Sequence, residues 1–208
     1  VYADMLFAGV SDEARRLFDE LRLEVNMGQY LDLAGTARAD VSAEEAGRII
    51  RYKSAKYTVE RPLHLGAALA GAGHRLEEPF TAYGLPIGDA FQLRDDLLGC
   101  FGDSELTGKP VGEDIREGKP TVLVALARAR ATGAHAAALE HYGDPDIDAD
   151  GVAAICDALV ATDAVADIER RIKTLVDDGR RALEGVDIAP DGRQRLDALA
   201  EFATRRVY

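Results

Sequence analysis

Residues 91–99 read Phe91-Gln92-Leu93-Arg94-Asp95-Asp96-Leu97-Leu98-Gly99, and their reading decides how the rest of the chain is understood. On a helix each residue turns about 100°. Gln92 lies three steps from Asp95 and four from Asp96, so the three polar groups share one helix face. Phe91, Leu93, Leu97 and Leu98 spread around the flanks. Two adjacent carboxylates repel unless a cation or an arginine neutralises them. Asp and Gln oxygens suit a hard ion such as Mg2+, which takes a few carboxylates together with waters and substrate phosphates. Taken alone, an Asp-Asp pair on a helix more often means a solvated acidic patch, here beside Arg94.

The residues that follow shift that balance. Gly102–Gly118, GDSELTGKPVGEDIREG, is a polar, glycine-rich connection of 17 residues. Loops of that length are usually functional or disordered. The chain holds 20 Arg and only five Lys, so lysine is not its generic surface charge. Yet Lys109 and Lys119 both fall here, each behind a glycine (Gly108, Gly118), with Asp114 between them. A compact ammonium on a mobile stem is a good phosphate counter-ion, and glycines let a loop approach an anion closely. The acidic helix and the Gly/Lys loop together read as a metal-bridged diphosphate site.

Around this stretch the pattern is helical throughout. Alanine occurs 35 times in 208 residues and Trp is absent, a composition that favours helix over strand. No period-2 run bounded by turns is found. Ser11 is an expected N-cap for a helix ending at about Gly35, with Leu17, Leu21, Val25 and Gly28 at helical spacing. Ser42-Ala43-Glu44-Glu45 is a capping box opening a unit that runs to Ala70, which Pro62 is expected to break or kink. A third long helix is expected over Leu76–Phe101. Helices resume after Pro120, placed at N1, and continue over 150–161, 163–184 and 191–206, with Tyr142–Asp150 as a loop. One all-α helical domain, or most of one, is the expectation.

Composition excludes several classes. The formal charge of -12 offers no basic face for nucleic acid. No run approaches the ~20 apolar residues needed to span a bilayer. Cys100 and Cys156 are too few for a disulfide scaffold, which points to a reducing, cytoplasmic setting. The four His show no metal-ligand spacing, and no Ser/His/Asp or Cys/His arrangement is present. Phe91, Tyr52 and Tyr57 fit either ordinary core or the lining of a hydrocarbon tunnel.

FQLRDDLLG (91–99) followed by TGKPVGEDIREGKPTVL (107–123) resembles the second aspartate-rich region of the trans-isoprenyl diphosphate synthases, the polyprenyl synthetase family. GQYLDLAG (28–35) resembles that family's GQ-x-x-D helix, and YKSAKYTVERPLHLGAALAG (52–71) its K-[TS]-[AG] helix. The wording is most similar to actinobacterial geranylgeranyl or longer-chain synthases. The resemblance implies an isoprenoid-synthase-type helical bundle and a homodimer. It implies Mg2+-dependent condensation of isopentenyl diphosphate with an allylic diphosphate.

Roles carry over by position. Asp95 resembles the direct Mg2+ ligand and Asp96 its partner acting through waters. Gln92 resembles the residue beside the allylic diphosphate and the developing cation. Lys53 and Ser54 match the K-[TS] pair, Lys53 on the diphosphate and Ser54 near the cation. Lys109 and Lys119 match the loop lysines that close over the diphosphate. Asp114 matches the loop aspartate that orders this closure, an outer-shell group to the metal. Gln29 and Asp32 are weaker matches, read as structural.

Two departures follow. The motif's third aspartate is replaced by Gly99, where an aspartate is therefore expected to be tolerated. The family's first motif, DDxxD, is absent; Asp177-Asp178 has neither its spacing nor its position. Either the N-terminal helices are missing from this chain, or it is a non-catalytic modulating partner subunit. A plain helical interaction module without a ligand is the third alternative. Residues 1–208 alone are expected to bind an allylic diphosphate weakly with Mg2+ without turning it over.

Overall fold

The computed structural model describes residues 2–36, 38, 41–102 and 112–204, so the expected loop lysine Lys109 lies outside the described residues. Every regular element among the described residues is helical. In chain order they are α1 (Tyr2–Leu6), α2 (Asp12–Thr36), α3 (Ala43–Ile50), a π-helical segment (Arg51–Glu60), α4 (Arg61–Leu69) and α5 (Gly73–Phe101). After residue 111 come α6 (Glu113–Glu117), α7 (Val122–Arg130), α8 (Gly133–Leu139), α9 (Ala149–Ala161), α10 (Ala164–Ala182) and α11 (Pro190–Thr204).

Local chemistry sets most of the boundaries. The Ala14 N–H donates to Ser11 Oγ at 3.2 Å, so Ser11 opens α2 as expected. At α3 the capping box is complete: Glu45 N–H donates to Ser42 Oγ, and Ser42 N–H donates back to Glu45 Oε2 at 3.0 Å. Three expectations are corrected. α5 begins at Gly73, three residues before Leu76, and carries Pro79 as well as Pro86 inside it. Pro120 is not at N1; Thr121 is the N-cap of α7, its hydroxyl accepting from Val124 N–H at 3.2 Å. The connection Gly102–Gly118 is not all loop, because Glu113–Glu117 forms a short helix with Glu113 and Asp114 in its first turn.

Pro62 does not break the second unit either. Helical backbone runs unbroken from Ala43 to Leu69, and the ten residues 51–60 ahead of the proline are wound as a π-helix. The Arg61 N–H bonds back to Lys56 O, five residues earlier. A proline has no N–H to give and its ring crowds the carbonyl four residues before it. The wider π winding relieves that crowding, and Pro62 sits in the first turn of α4, where the missing donor costs least.

This π-helical segment is packed between α2 and α5. Gly28 of α2 lies against the backbone of Tyr52 and Lys53, and Gly88 of α5 against Ala55; a Cβ at either position would overlap that backbone. α10 covers another side of α5, with Ile168, Ile172 and Val176 buried at four-residue spacing and Gly179 against Ile87. The Tyr83 hydroxyl of α5 donates to Leu196 O of α11 at 2.6 Å. Tyr83, Ile87, Leu123, Ile155, Leu159 and Ile168 are fully buried in the main core. Each aliphatic side chain so placed contributes about 1.5–3 kcal/mol.

Candidate functional site

Four segments bring charged and amide side chains to one pocket of about 170 Å3, which Ile49 and Ile50 of α3 also line. α2 supplies Asp32; the π-helical segment supplies Lys53 and Ser54; α5 supplies Gln92, Asp95 and Asp96; the turn after α6 supplies Lys119. The spacing argument for a shared face of Gln92, Asp95 and Asp96 is borne out. The structure brings together Lys53, Ser54, Gln92, Asp95, Asp96 and Lys119 at this pocket, with Asp114 behind Lys119.

The polar groups are wired in series. Ser54 Oγ donates to Gln92 Oε1 at 2.6 Å. Gln92 Nε2 donates in turn to Asp96 Oδ1 at 2.9 Å and reaches Asp95 Oδ2 at 3.5 Å. Lys119 Nζ lies 3.4 Å from Asp96 Oδ1 and donates to Asp114 Oδ2 at 2.9 Å. The amide of Gln92 is thereby fixed: its oxygen faces a hydroxyl and its nitrogen faces carboxylates.

Lys119 is held in place by its backbone. Gly118 has φ +65°, the left-handed conformation that caps α6 and turns the chain back over it. The Lys119 N–H then donates to Asp114 O at 3.2 Å, and the Tyr142 hydroxyl donates to Lys119 O at 2.8 Å. Only the side chain is left to move.

Burial sets the electrostatics. Asp96 is 2% exposed, and that burial pushes its carboxyl up to about 6, against the opposing pull of Lys119 and the Gln92 hydrogen bond. Lys119 is pulled the other way by burial, but the Asp96 and Asp114 carboxylates outweigh it and hold the ammonium above its ordinary range. It is charged at any physiological pH.

Lys53 makes an ion pair with Asp32 across the packed faces of α2 and the π-helical segment. Asp32, read from the sequence as structural, lines the pocket as the counter-ion of Lys53. Its signal in the sequence was the GQ-x-x-D spacing alone, and a pairing across 21 residues leaves no other trace. Gln29, Phe91, Tyr52 and Tyr57 do not line the pocket.

Among the described residues no cluster of three or more His, Cys, Asp or Glu side chains is placed to hold a metal. Mg2+ does not require one, since it is commonly held by one or two carboxylates with phosphates and waters completing the shell. Asp95 and Asp96 side by side on the pocket wall meet that need. The Lys119 ammonium against Asp96 and Asp114 shows that these carboxylates accept a cation where they stand. The donor set therefore fits Mg2+.

A larger groove of about 800 Å3 borders α5 at Asp89 and Leu93 and shares Ile50 with the smaller pocket. It contains none of the candidate site residues named from the sequence. Its arginines face carboxylates, Arg51 on Asp89 at 2.8 Å and Arg171 on Asp167 at 3.6 Å. The candidate site is assigned to the smaller pocket for its convergent carboxylates, amide and lysines, not for its volume.

Comparison with known proteins identifies the family. The family model described as Polyprenyl synthetase matches residues 3–159. The geranylfarnesyl diphosphate synthase of Aeropyrum pernix is 30% identical over 210 residues, covering 99% of this chain and 65% of that protein. The (2E,6E)-farnesyl diphosphate synthase of Mycobacterium tuberculosis is 42% identical over 111 residues, 53% of this chain and 31% of that protein. The crystal structure of geranylgeranyl pyrophosphate synthase from Corynebacterium glutamicum, complexed with isoprenyl diphosphate and magnesium, superposes with a TM-score of 0.91 at 44% identity. That alignment covers 98% of this chain and 59% of that one. The chain thus spans less than two thirds of the length of these relatives.

Proposed function

This chain belongs to the polyprenyl synthetase family, with the all-helical fold of its isoprenyl diphosphate synthases, and on that premise we propose that it carries the allylic-diphosphate half of a Mg2+-dependent prenyltransferase site. Residues 1–208 form one helical domain in this reading. The reaction is condensation of isopentenyl diphosphate with an allylic diphosphate to a trans-polyprenyl diphosphate five carbons longer. A product of geranylgeranyl length is favoured by the likeness to the Corynebacterium enzyme. The observation that carries the reading is the unbroken polar chain Ser54–Gln92–Asp96–Lys119–Asp114 along one pocket.

Each side chain has a task. Asp95 would hold Mg2+, supported by Asp96 and Asp114. Mg2+, when bound, supplies positive charge that stabilises the departing diphosphate. Lys53, Lys109 and Lys119 donate to the diphosphate oxygens and stabilise the charge that develops as the C–O bond breaks. Gln92, oriented by Ser54, presents its amide oxygen toward the allylic carbon and its cationic charge. The double bond of isopentenyl diphosphate closes the new C–C bond, a proton leaves, and pyrophosphate is released. No side-chain nucleophile is consumed.

The reading extends to the surroundings. On α2, Leu23, Met27 and Tyr30 follow one another at helical spacing and are 63%, 50% and 71% exposed, an apolar stripe that suits a homodimer contact. Cys100 and Cys156 are both free thiols, in keeping with a cytoplasmic setting. No helix among the described residues is long and apolar enough to cross a membrane.

The test is stabilisation by ligand. Mg2+ with a non-hydrolysable allylic diphosphate analogue at 100 times its Kd is expected to add about 2.7 kcal/mol and raise the Tm. An unmoved Tm at millimolar ligand would leave a helical interaction module as the better account.

A further inference from the structure

We propose that the Lys119 ammonium is an internal counter-ion that neutralises Asp96 and Asp114 in the metal-free protein, opposes Mg2+ binding beside them, and is released onto diphosphate when metal and diphosphate arrive together. The inference rests on the functional reading above and adds to it an order of events.

The geometry points to it directly. Asp96 and Asp114 are 2% and 7% exposed, so neither carboxylate can rely on water for its solvation. Their oxygens converge on one nitrogen, Lys119 Nζ, at 3.4 and 2.9 Å. Two carboxylates brought together in a buried place need a cation between them, and this chain supplies its own. Gly99 makes the arrangement possible, because the Asp114 carboxylate fills the volume a side chain at 99 would take. Asp96 Oδ1 already accepts from Gln92 as well.

A second cation cannot join this cluster at no cost. With Lys119 in place, the negative charge that Asp96 and Asp114 would lend a metal is neutralised. With Lys119 displaced, two carboxylates are left for the metal's waters and an ammonium is left without an anion. Pyrophosphate oxygens are the anion it can take. The backbone of residue 119 is fixed by Asp114 O and the Tyr142 hydroxyl, so the transfer requires only rotation of a four-carbon stem. Mg2+ alone should then bind weakly, and Mg2+ with diphosphate should bind much more tightly than either alone.

Calorimetric titration of Mg2+, with and without inorganic pyrophosphate, into the protein and its Lys119→Gln variant tests this. The variant is expected to bind Mg2+ alone at least tenfold more tightly than the parent, yet to bind pyrophosphate with Mg2+ at least tenfold more weakly. Equal or weaker Mg2+ affinity in the variant, with Mg2+-dependent pyrophosphate binding intact in the parent, overturns the competition and leaves the functional reading standing. Absence of Mg2+ and pyrophosphate binding in both proteins overturns the reading and the competition together. Should the variant fail to fold, amine labelling of the parent decides, read lysine by lysine by mass spectrometry with exposed Lys173 as reference. Lys119 labelling should speed up severalfold with saturating Mg2+ and slow again on adding pyrophosphate. A Lys119 rate indifferent to Mg2+ overturns the proposal.

Discussion

The carboxylate of Asp114 occupies the volume that any side chain at position 99 would need: an added Cβ there would overlap both its Cγ and its Oδ2. Gly99 and Asp114 are therefore a matched pair. An aspartate at 99, expected from the sequence to be tolerated, would therefore require Asp114 to move.

Gly99→Ala should push Asp114 off α5 and destabilise the fold by about 1–3 kcal/mol, the usual cost of overpacking. Gly99→Asp should cost more, since it also sets a second carboxylate against Asp114. Urea denaturation of the parent and both variants measures this, and an unchanged midpoint for Gly99→Ala would show that Asp114 has somewhere else to go.

Glu24 ties α2 to the segments beyond it. Its Oε2 accepts from Arg61 Nε at 2.7 Å, and its Oε1 accepts from both Lys56 Nζ and Arg61 Nη2 at 2.8 Å. The side chains of Lys56, Arg61 and Glu24 are 15%, 13% and 16% exposed. Glu24→Ala leaves two largely buried cations without their main partner and should cost on the order of 3 kcal/mol. A loss below 0.5 kcal/mol, about what an exposed pair contributes, would mean that water or Glu60 takes over.

His64 gives the fold a pH dependence. It is 2% exposed, its Nε2–H donating to Glu77 O at 3.0 Å, and burial holds its pKa below the ordinary histidine value. A depressed base is preferred neutral in the fold. Its contribution is complete above the unfolded value near 6.5 and is lost as pH falls through the lower folded value. Denaturation of the parent and His64→Gln at pH 7.5 and 5.5 should show the parent's advantage shrinking with acid. An advantage that grows at pH 5.5 would contradict the assignment.

Much of this was legible in the sequence, for local reasons. The capping box at Ser42 and Glu45 and the common face of Gln92, Asp95 and Asp96 depend on spacings of three and four residues, which a helix fixes wherever it occurs. The π winding of residues 51–60 was not legible, since a change from four-residue to five-residue hydrogen bonding leaves no mark on apolar periodicity. Pro62 could be read only as a break or a kink. Asp32 with Lys53, and Gly99 with Asp114, are pairings made by the crossing of separate elements, and no single stretch contains them. Lys109 stays an expectation from the resemblance, now part of the proposed function.

The central claim is that Asp95 and its neighbours bind an allylic diphosphate through Mg2+. The most direct measurement is calorimetric titration of geranyl diphosphate into the parent and Asp95→Ala, each with Mg2+ and with chelator. The account predicts binding by the parent that is lost on chelation, and a fall of at least a hundredfold in Asp95→Ala, about 2.7 kcal/mol, with the Tm of the ligand-free variant unchanged or raised because one of two adjacent carboxylates is gone. Equal affinity in parent and variant, or binding indifferent to chelation, would contradict it.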